Sequence, residues 1–75
     1  MTLAELEIDH QATVDHVTGP RPFIRRLLSL GVSPGSEVRV VRVAPLGDPI
    51  QVEIGRLQLA IRRSEASQVL IHSAS

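Results

Sequence analysis

The sequence predicts a mainly β fold, a small five-stranded barrel with one amphipathic helix and short helical turns, and three features carry that prediction. Val38, Val40, Val41 and Val43 crowd one run, and Ile50, Val52 and Ile54 alternate with polar residues before a second alternating run at Leu57, Leu59 and Ile61. In Leu27-Leu28-Ser29-Leu30-Gly31-Val32-Ser33-Pro34-Gly35, Gly31 supplies the left-handed residue that closes a helix and Pro34-Gly35 the turn that starts a strand. With 43% hydrophobic residues and a single aromatic, Phe23, the core must be built from valine, leucine and isoleucine.

The elements follow in order. Thr2-Leu3-Ala4-Glu5 has the form of a capping box at the start of a short helix anchored by Leu3 and Leu6. From Ala12 to Thr18 the residues are β-prone, with Val14 and Val17 on different faces, so the first strand carries a bend or bulge and ends at Gly19-Pro20. Pro22 suits the first turn of a helix of two to three turns, in which Phe23, Ile24, Leu27, Leu28 and Leu30 recur at helical spacing opposite Arg25, Arg26 and Ser29. In the next strand the apolar phase slips by one between Val40 and Val41, which a β-bulge at a barrel corner produces.

Pro45-Leu46-Gly47-Asp48-Pro49 is an exposed loop, since prolines at both ends cannot donate to a central ladder. The two alternating runs joined by Gly55-Arg56 form a hairpin with a type II′ turn. Arg62-Arg63-Ser64-Glu65-Ala66 makes one helical turn, Val69-Leu70-Ile71 a closing strand, and Ser73-Ala74-Ser75 a frayed end. Strand, helix, strand, hairpin, turn, strand is the order of an SH3-like barrel, and closing it removes the edges of an open sheet.

Seventy-five residues predict one domain, 1–75, of modest stability, because a chain this short buries only about 60% of its unfolded surface. Eight arginines balance eight acids and there is no lysine, so no global field recruits nucleic acid or an anionic membrane. The first twenty residues carry Glu5, Glu7 and Asp9 without lysine or arginine, unlike a secretory or transit segment, and no apolar run approaches the ~20 residues of a spanning helix. A cytoplasmic location without membrane insertion is the expectation. Glycines at turn positions form no Walker or dinucleotide loop, and no nucleophile or metal constellation stands out, so the chain is expected not to be an enzyme and to need no cofactor.

Arg26-Leu27-Leu28-Ser29-Leu30-Gly31-Val32-Ser33-Pro34-Gly35, Val38-Arg39-Val40, Ala44-Pro45-Leu46-Gly47-Asp48-Pro49 and the run from Leu57 to Ala66 together resemble the FeoA family of small bacterial ferrous iron transport accessory proteins. The resemblance covers nearly the whole chain. It implies an SH3-like barrel in the cytoplasm and a partner, FeoB, the membrane ferrous iron transporter with a cytosolic GTP-binding domain. It transfers no catalytic or metal-binding residue.

Candidate residues come from local chemistry. Gly31-Val32-Ser33-Pro34-Gly35 has the letters of a nucleophile elbow, but a helix precedes it and a strand follows, the reverse of the order that exposes a catalytic serine. His10, His16 and His72, with Asp9 and Asp15 beside two of them, are ligand types for ferrous iron, yet neighbours on a strand point to opposite faces, so surface histidines are expected. The alternative is a small ferrous iron sensor or chaperone that uses His10, His16 and an acid. A regulatory or nucleic-acid-binding barrel is a further alternative, weakened by the lack of an aromatic platform, with Phe23 expected to be buried.

The doublets Arg25-Arg26 and Arg62-Arg63 either pair with Glu37, Glu53 or Glu65 or form a basic surface that binds carboxylates or phosphates of a partner. Leu46 and Leu28 either turn inward or add an apolar patch between the arginines, and Leu28 is expected inside. The expected contact set is Arg25, Arg26, Leu46, Arg62 and Arg63. A barrel of this size stays alone or forms a weak homo-oligomer through an edge.

Overall fold

Alternation and turn chemistry place the elements within a residue or two of the predicted bounds. The computed structural model describes residues 1–73, with a 3₁₀ turn at Leu3–Glu5, then β1 (Gln11–Val17), α1 (Arg21–Ser29), β2 (Glu37–Val43), β3 (Ile50–Ile54), β4 (Leu57–Ile61), α2 (Arg63–Ala66) and β5 (Val69–Ser73). Ser73 is the last residue of β5 and not part of a frayed end; Ala74 and Ser75 lie outside the described residues.

The five strands form one antiparallel sheet in the order β4-β3-β2-β1-β5. Buried residues from every strand meet in one cluster, from Ala12 and Val14 of β1 through Val38, Val40 and Val52 to Ile61 of β4 and Ile71 of β5. A single sheet can do this only by rolling around its own inner face. Two bulges bend it. One leaves Asp15 between the pairs Val14–Ile71 and His16–Leu70, the other leaves Val41 between Val40–Val52 and Arg42–Gln51. Each extra residue resets the alternation, so Val17 and Val43 return to the core after the slip.

The barrel is not hydrogen-bonded shut. No pairing of β4 with β5 joins the ends of the sheet among the described residues, so the predicted loss of all edges is not realised. The outer side of β5 is covered by the N-terminus, where Thr2 bridges Leu70 and the Ile71 N–H donates to the Met1 carbonyl at 2.9 Å. Among the described residues β4 has no such cover.

Helix α1 ends as its sequence requires. Gly31 has φ +96°, its N–H donates to the Leu28 carbonyl at 3.0 Å, and the Val32 N–H reaches back to the Leu27 carbonyl at 2.9 Å. This is a Schellman closure with its usual apolar contact, since Leu27 and Val32 are both buried. The helix touches the barrel along a narrow stripe: Leu27 is fully buried, Phe23 and Leu30 pack partly against the core, and Leu28 is 45% exposed. Leu28 is therefore not inside as predicted. It sits about 100° around the helix from Leu27, and a lone helix on a convex barrel buries only the line of closest approach. Phe23, also predicted buried, is only half-buried for the same reason.

Candidate functional site

Helix α2 links four of the predicted contact residues, Arg26, Arg62, Arg63 and, through the loop 45–49, Leu46. Its capping glutamate, Glu65, accepts the backbone N–H of Arg62 on Oε1 at 3.0 Å and the Arg26 guanidinium of α1 on Oε2. The Arg26 guanidinium also lies 5.7 Å from the centre of the Phe23 ring. These bonds hold the Glu65 carboxyl below its usual value, chiefly through the Arg62 N–H and then through Arg26.

Arg63 reaches the other way. Its backbone N–H donates to the Asp48 carboxylate at 2.9 Å, its Nε to the Gly47 carbonyl at 3.0 Å and its Nη1 to the Ala4 carbonyl at 2.9 Å. One side chain thus ties α2 to the loop 45–49 and to the N-terminal turn. Leu46 stands beside the anchored Gly47 with 97% of its surface in solvent.

The five predicted residues fall into two classes. Arg26 and Arg63 are engaged within the fold, whereas the guanidinium groups of Arg25 and Arg62 make no ion pair or hydrogen bond among the described residues and are exposed, as is Leu46. Of the predicted acidic partners only Glu65 takes an arginine from a doublet. Glu53 is taken by Arg39 at 3.0 Å and Glu37 by the Gln11 amide at 2.6 Å, because Arg39 faces Glu53 and Gln11 adjoins the Glu37 register across the sheet.

One depression borders this surface and a second lies apart from it. A shallow apolar groove of about 280 Å³ runs between α1 and α2, lined by Pro20, Phe23, Ser64, Glu65 and Gln68. Sequence spacing could not reveal it, since its walls come from segments some forty residues apart. The larger cleft, about 540 Å³, lies away from the doublets, around Glu37, Arg39 and Glu53. Its charges already satisfy one another, with Arg39 bonded to Glu53 and 3.5 Å from Asp9.

The histidines do not converge. His10 lies 3.9 Å from Glu7, while His72 Nδ1 bonds to Asp15, a partner 57 residues away that the β1 bulge and the β1–β5 register bring together. Among the described residues no three side chains of His, Cys, Asp or Glu gather where one metal ion could bind them. The Ser33 hydroxyl is spent inside its turn, 3.0 Å from the Ser36 hydroxyl, which donates to the Gly31 carbonyl at 2.9 Å. No helix of the described residues is long and apolar enough to cross a membrane.

Comparison with known proteins gives this architecture a context. A family model described as "FeoA domain" matches residues 1–73. The chain is 33% identical over 75 residues to an Fe(2+) transport protein A/Fe(2+) transporter FeoB fusion protein of Porphyromonas gingivalis, and spans 9% of that protein's length. The solution structure of FeoA from Chlorobium tepidum is 39% identical, with a TM-score of 0.95 over 100% of this chain and 71% of that one. FeoA of Stenotrophomonas maltophilia, an SH3 domain protein crystallised with zinc, is 38% identical with a TM-score of 0.85 over 96% of this chain and 89% of that one. The rolled sheet is therefore SH3-like, and the chain belongs to the FeoA family of ferrous iron transport accessory domains.

Proposed function

We propose that this FeoA domain is a cytoplasmic, non-enzymatic binding module that docks on the cytosolic GTP-binding domain of a FeoB transporter and modulates its assembly or nucleotide-driven activity. One observation carries this reading: the relative in which an FeoA domain and FeoB form one polypeptide. Fusion keeps two partners at high effective concentration, so a contact that is weak between separate chains suffices.

The surface around α2 supplies suitable chemistry. Arg25 and Arg62 offer free guanidinium forks for carboxylates or phosphates, and Leu46 offers an exposed apolar anchor at the tip of the loop 45–49. Arg26 and Arg63 contribute by holding α1, α2 and the loop 45–49 in fixed relation.

The test is binding of the isolated FeoB cytosolic domain to this chain and to a variant with Arg25→Glu, Arg62→Glu and Leu46→Ala. Loss of about tenfold or more in affinity, with an unchanged melting temperature, is expected, since two charge pairs and one apolar anchor are removed. Equal binding by both chains would take these residues out of the contact. Stoichiometric Fe(II) uptake in an anaerobic titration, lost on replacing His10 and His16, would favour the sensor reading instead.

A further inference from the structure

Two strands end the sheet, and they are treated differently. β5 has Met1 and Thr2 laid along its outer side, while no backbone of the described residues pairs with the outer side of β4. Hairpin geometry fixes which groups that side exposes. Ile54 and Leu57 flank a two-residue turn and so exchange both of their backbone hydrogen bonds, as do Val52 with Leu59 and Ile50 with Ile61 two and four steps further on. Gln58 and Ala60 lie between these pairs. Their N–H and C=O groups point away from β3, both residues are exposed, and no backbone bond from them is made among the described residues.

The devices that normally blunt such an edge are missing. Leu57-Gln58-Leu59-Ala60-Ile61 has no charge, no proline and no bulge, and its Leu57 side chain is 47% exposed. Charge appears only at its two ends, as exposed Arg56 and Arg62. Those arginines decide the occupant. In the two-fold pairing of β4 with a second copy that satisfies Gln58 and Ala60 on both chains, Arg56 of each chain would face Arg62 of the other, and like charges opposite one another destabilise a strand pair. An extended segment with carboxylates at both ends meets the same arginines with opposite charge.

We propose that the outer side of β4 binds an extended segment of a partner protein by strand addition. That segment alternates apolar residues against Leu57, Leu59 and Ile61 with small polar ones beside Gln58 and Ala60, and ends in acids about 20 Å apart, opposite Arg56 and Arg62, at ~3.3 Å per residue. The surface shares Arg62 with the α2 neighbourhood but not Arg25 or Leu46, and its test reads the β4 amides and not transporter binding, so the proposal stands whether or not the transporter reading does.

The probe is the synthetic peptide Glu-Val-Thr-Val-Thr-Val-Glu with blocked ends, titrated into isotope-labelled protein and followed by amide NMR. Saturable shifts at Gln58 and Ala60, with slowed hydrogen exchange of those two amides, are expected. A peptide with lysine at both ends should bind about tenfold more weakly or worse, and Arg56→Glu with Arg62→Glu should reverse that preference. Ala60→Pro removes an outward N–H without touching the β3 ladder and should abolish binding. Should that variant fail to fold, the charge reversal decides by itself. The proposal is overturned by the absence of shifts at β4, by equal binding of both peptides, or by concentration-dependent shifts at β4 without peptide, which would make a second copy the occupant.

Discussion

Arg26 and Glu65, 39 residues apart in the chain, form an ion pair that fastens α1 to α2, and the same carboxylate caps α2 by accepting the Arg62 N–H. The two bonds differ in worth. The Arg26 side chain is 54% exposed, so the ion pair is screened by solvent, whereas the cap satisfies a backbone donor that has no helical partner.

That difference is measurable in a double-mutant cycle. Glu65→Ala should cost about 1–2 kcal/mol in urea unfolding, Arg26→Ala about 0.5 kcal/mol, and the coupling between them should stay below about 1 kcal/mol. An Arg26→Ala cost equal to that of Glu65→Ala would show the ion pair, and not the cap, to be the stabilising contact.

The same cap predicts acid sensitivity. Glu65 is held below the ordinary value of 4.5 by the Arg62 N–H and by Arg26, and Glu5 is held below it by the Thr2 N–H. Each pKa is lower in the folded chain than in the unfolded one, so their contribution is complete above 4.5 and is lost as pH falls through the depressed folded values. Melting temperature should be nearly level from about pH 7 to pH 5 and then decline. Glu65→Gln should be less stable near neutrality and lose less on acidification; identical acid limbs would exclude this origin.

Leu27 and Leu28 are neighbours with opposite fates. Leu27 is fully buried and Leu28 is 45% exposed, so Leu27→Ala should cost about 2–5 kcal/mol and Leu28→Ala no more than about 0.5 kcal/mol. Similar costs for the two would contradict the narrow stripe of contact between α1 and the barrel.

Arg63 should behave as a tie and Arg25 as a free cation. Arg63→Ala removes the donor that joins the Gly47 and Ala4 carbonyls to α2, at exposed positions that water can fill, and it should cost about 0.5–1.5 kcal/mol and speed exchange of the Gly47 amide, which donates to the Ala44 carbonyl. Arg25→Ala should change stability by less than about 0.5 kcal/mol. Unchanged exchange at Gly47 in the Arg63 variant would refute the tie.

Much of the fold was legible because its signals are local. Gly31 closes α1 as its place after Leu30 foretells, and Gly55, with φ +60° and no positive φ at Arg56, makes the type II′ turn its position announces. The slip at Val40-Val41 marked a bulge because side-chain alternation is set by the strand itself. The candidate contact surface was less legible. Arg25 and Arg26 are adjacent in sequence and identical in chemistry, yet one is free and the other is spent on Glu65.

The sequence by itself determined the order of elements, both bulges and the exposed loop 45–49, since each rests on residues a few positions apart, and the family resemblance, which rests on the order of such local segments along the chain. Tertiary structure alone decided that Asp15 meets His72, that Arg63 spans from Gly47 to Ala4, that Leu28 faces solvent and that β4 keeps an open edge while β5 does not. The physical reason is that spacing encodes the face on which a side chain emerges, whereas its partner depends on how a curved sheet brings distant segments together.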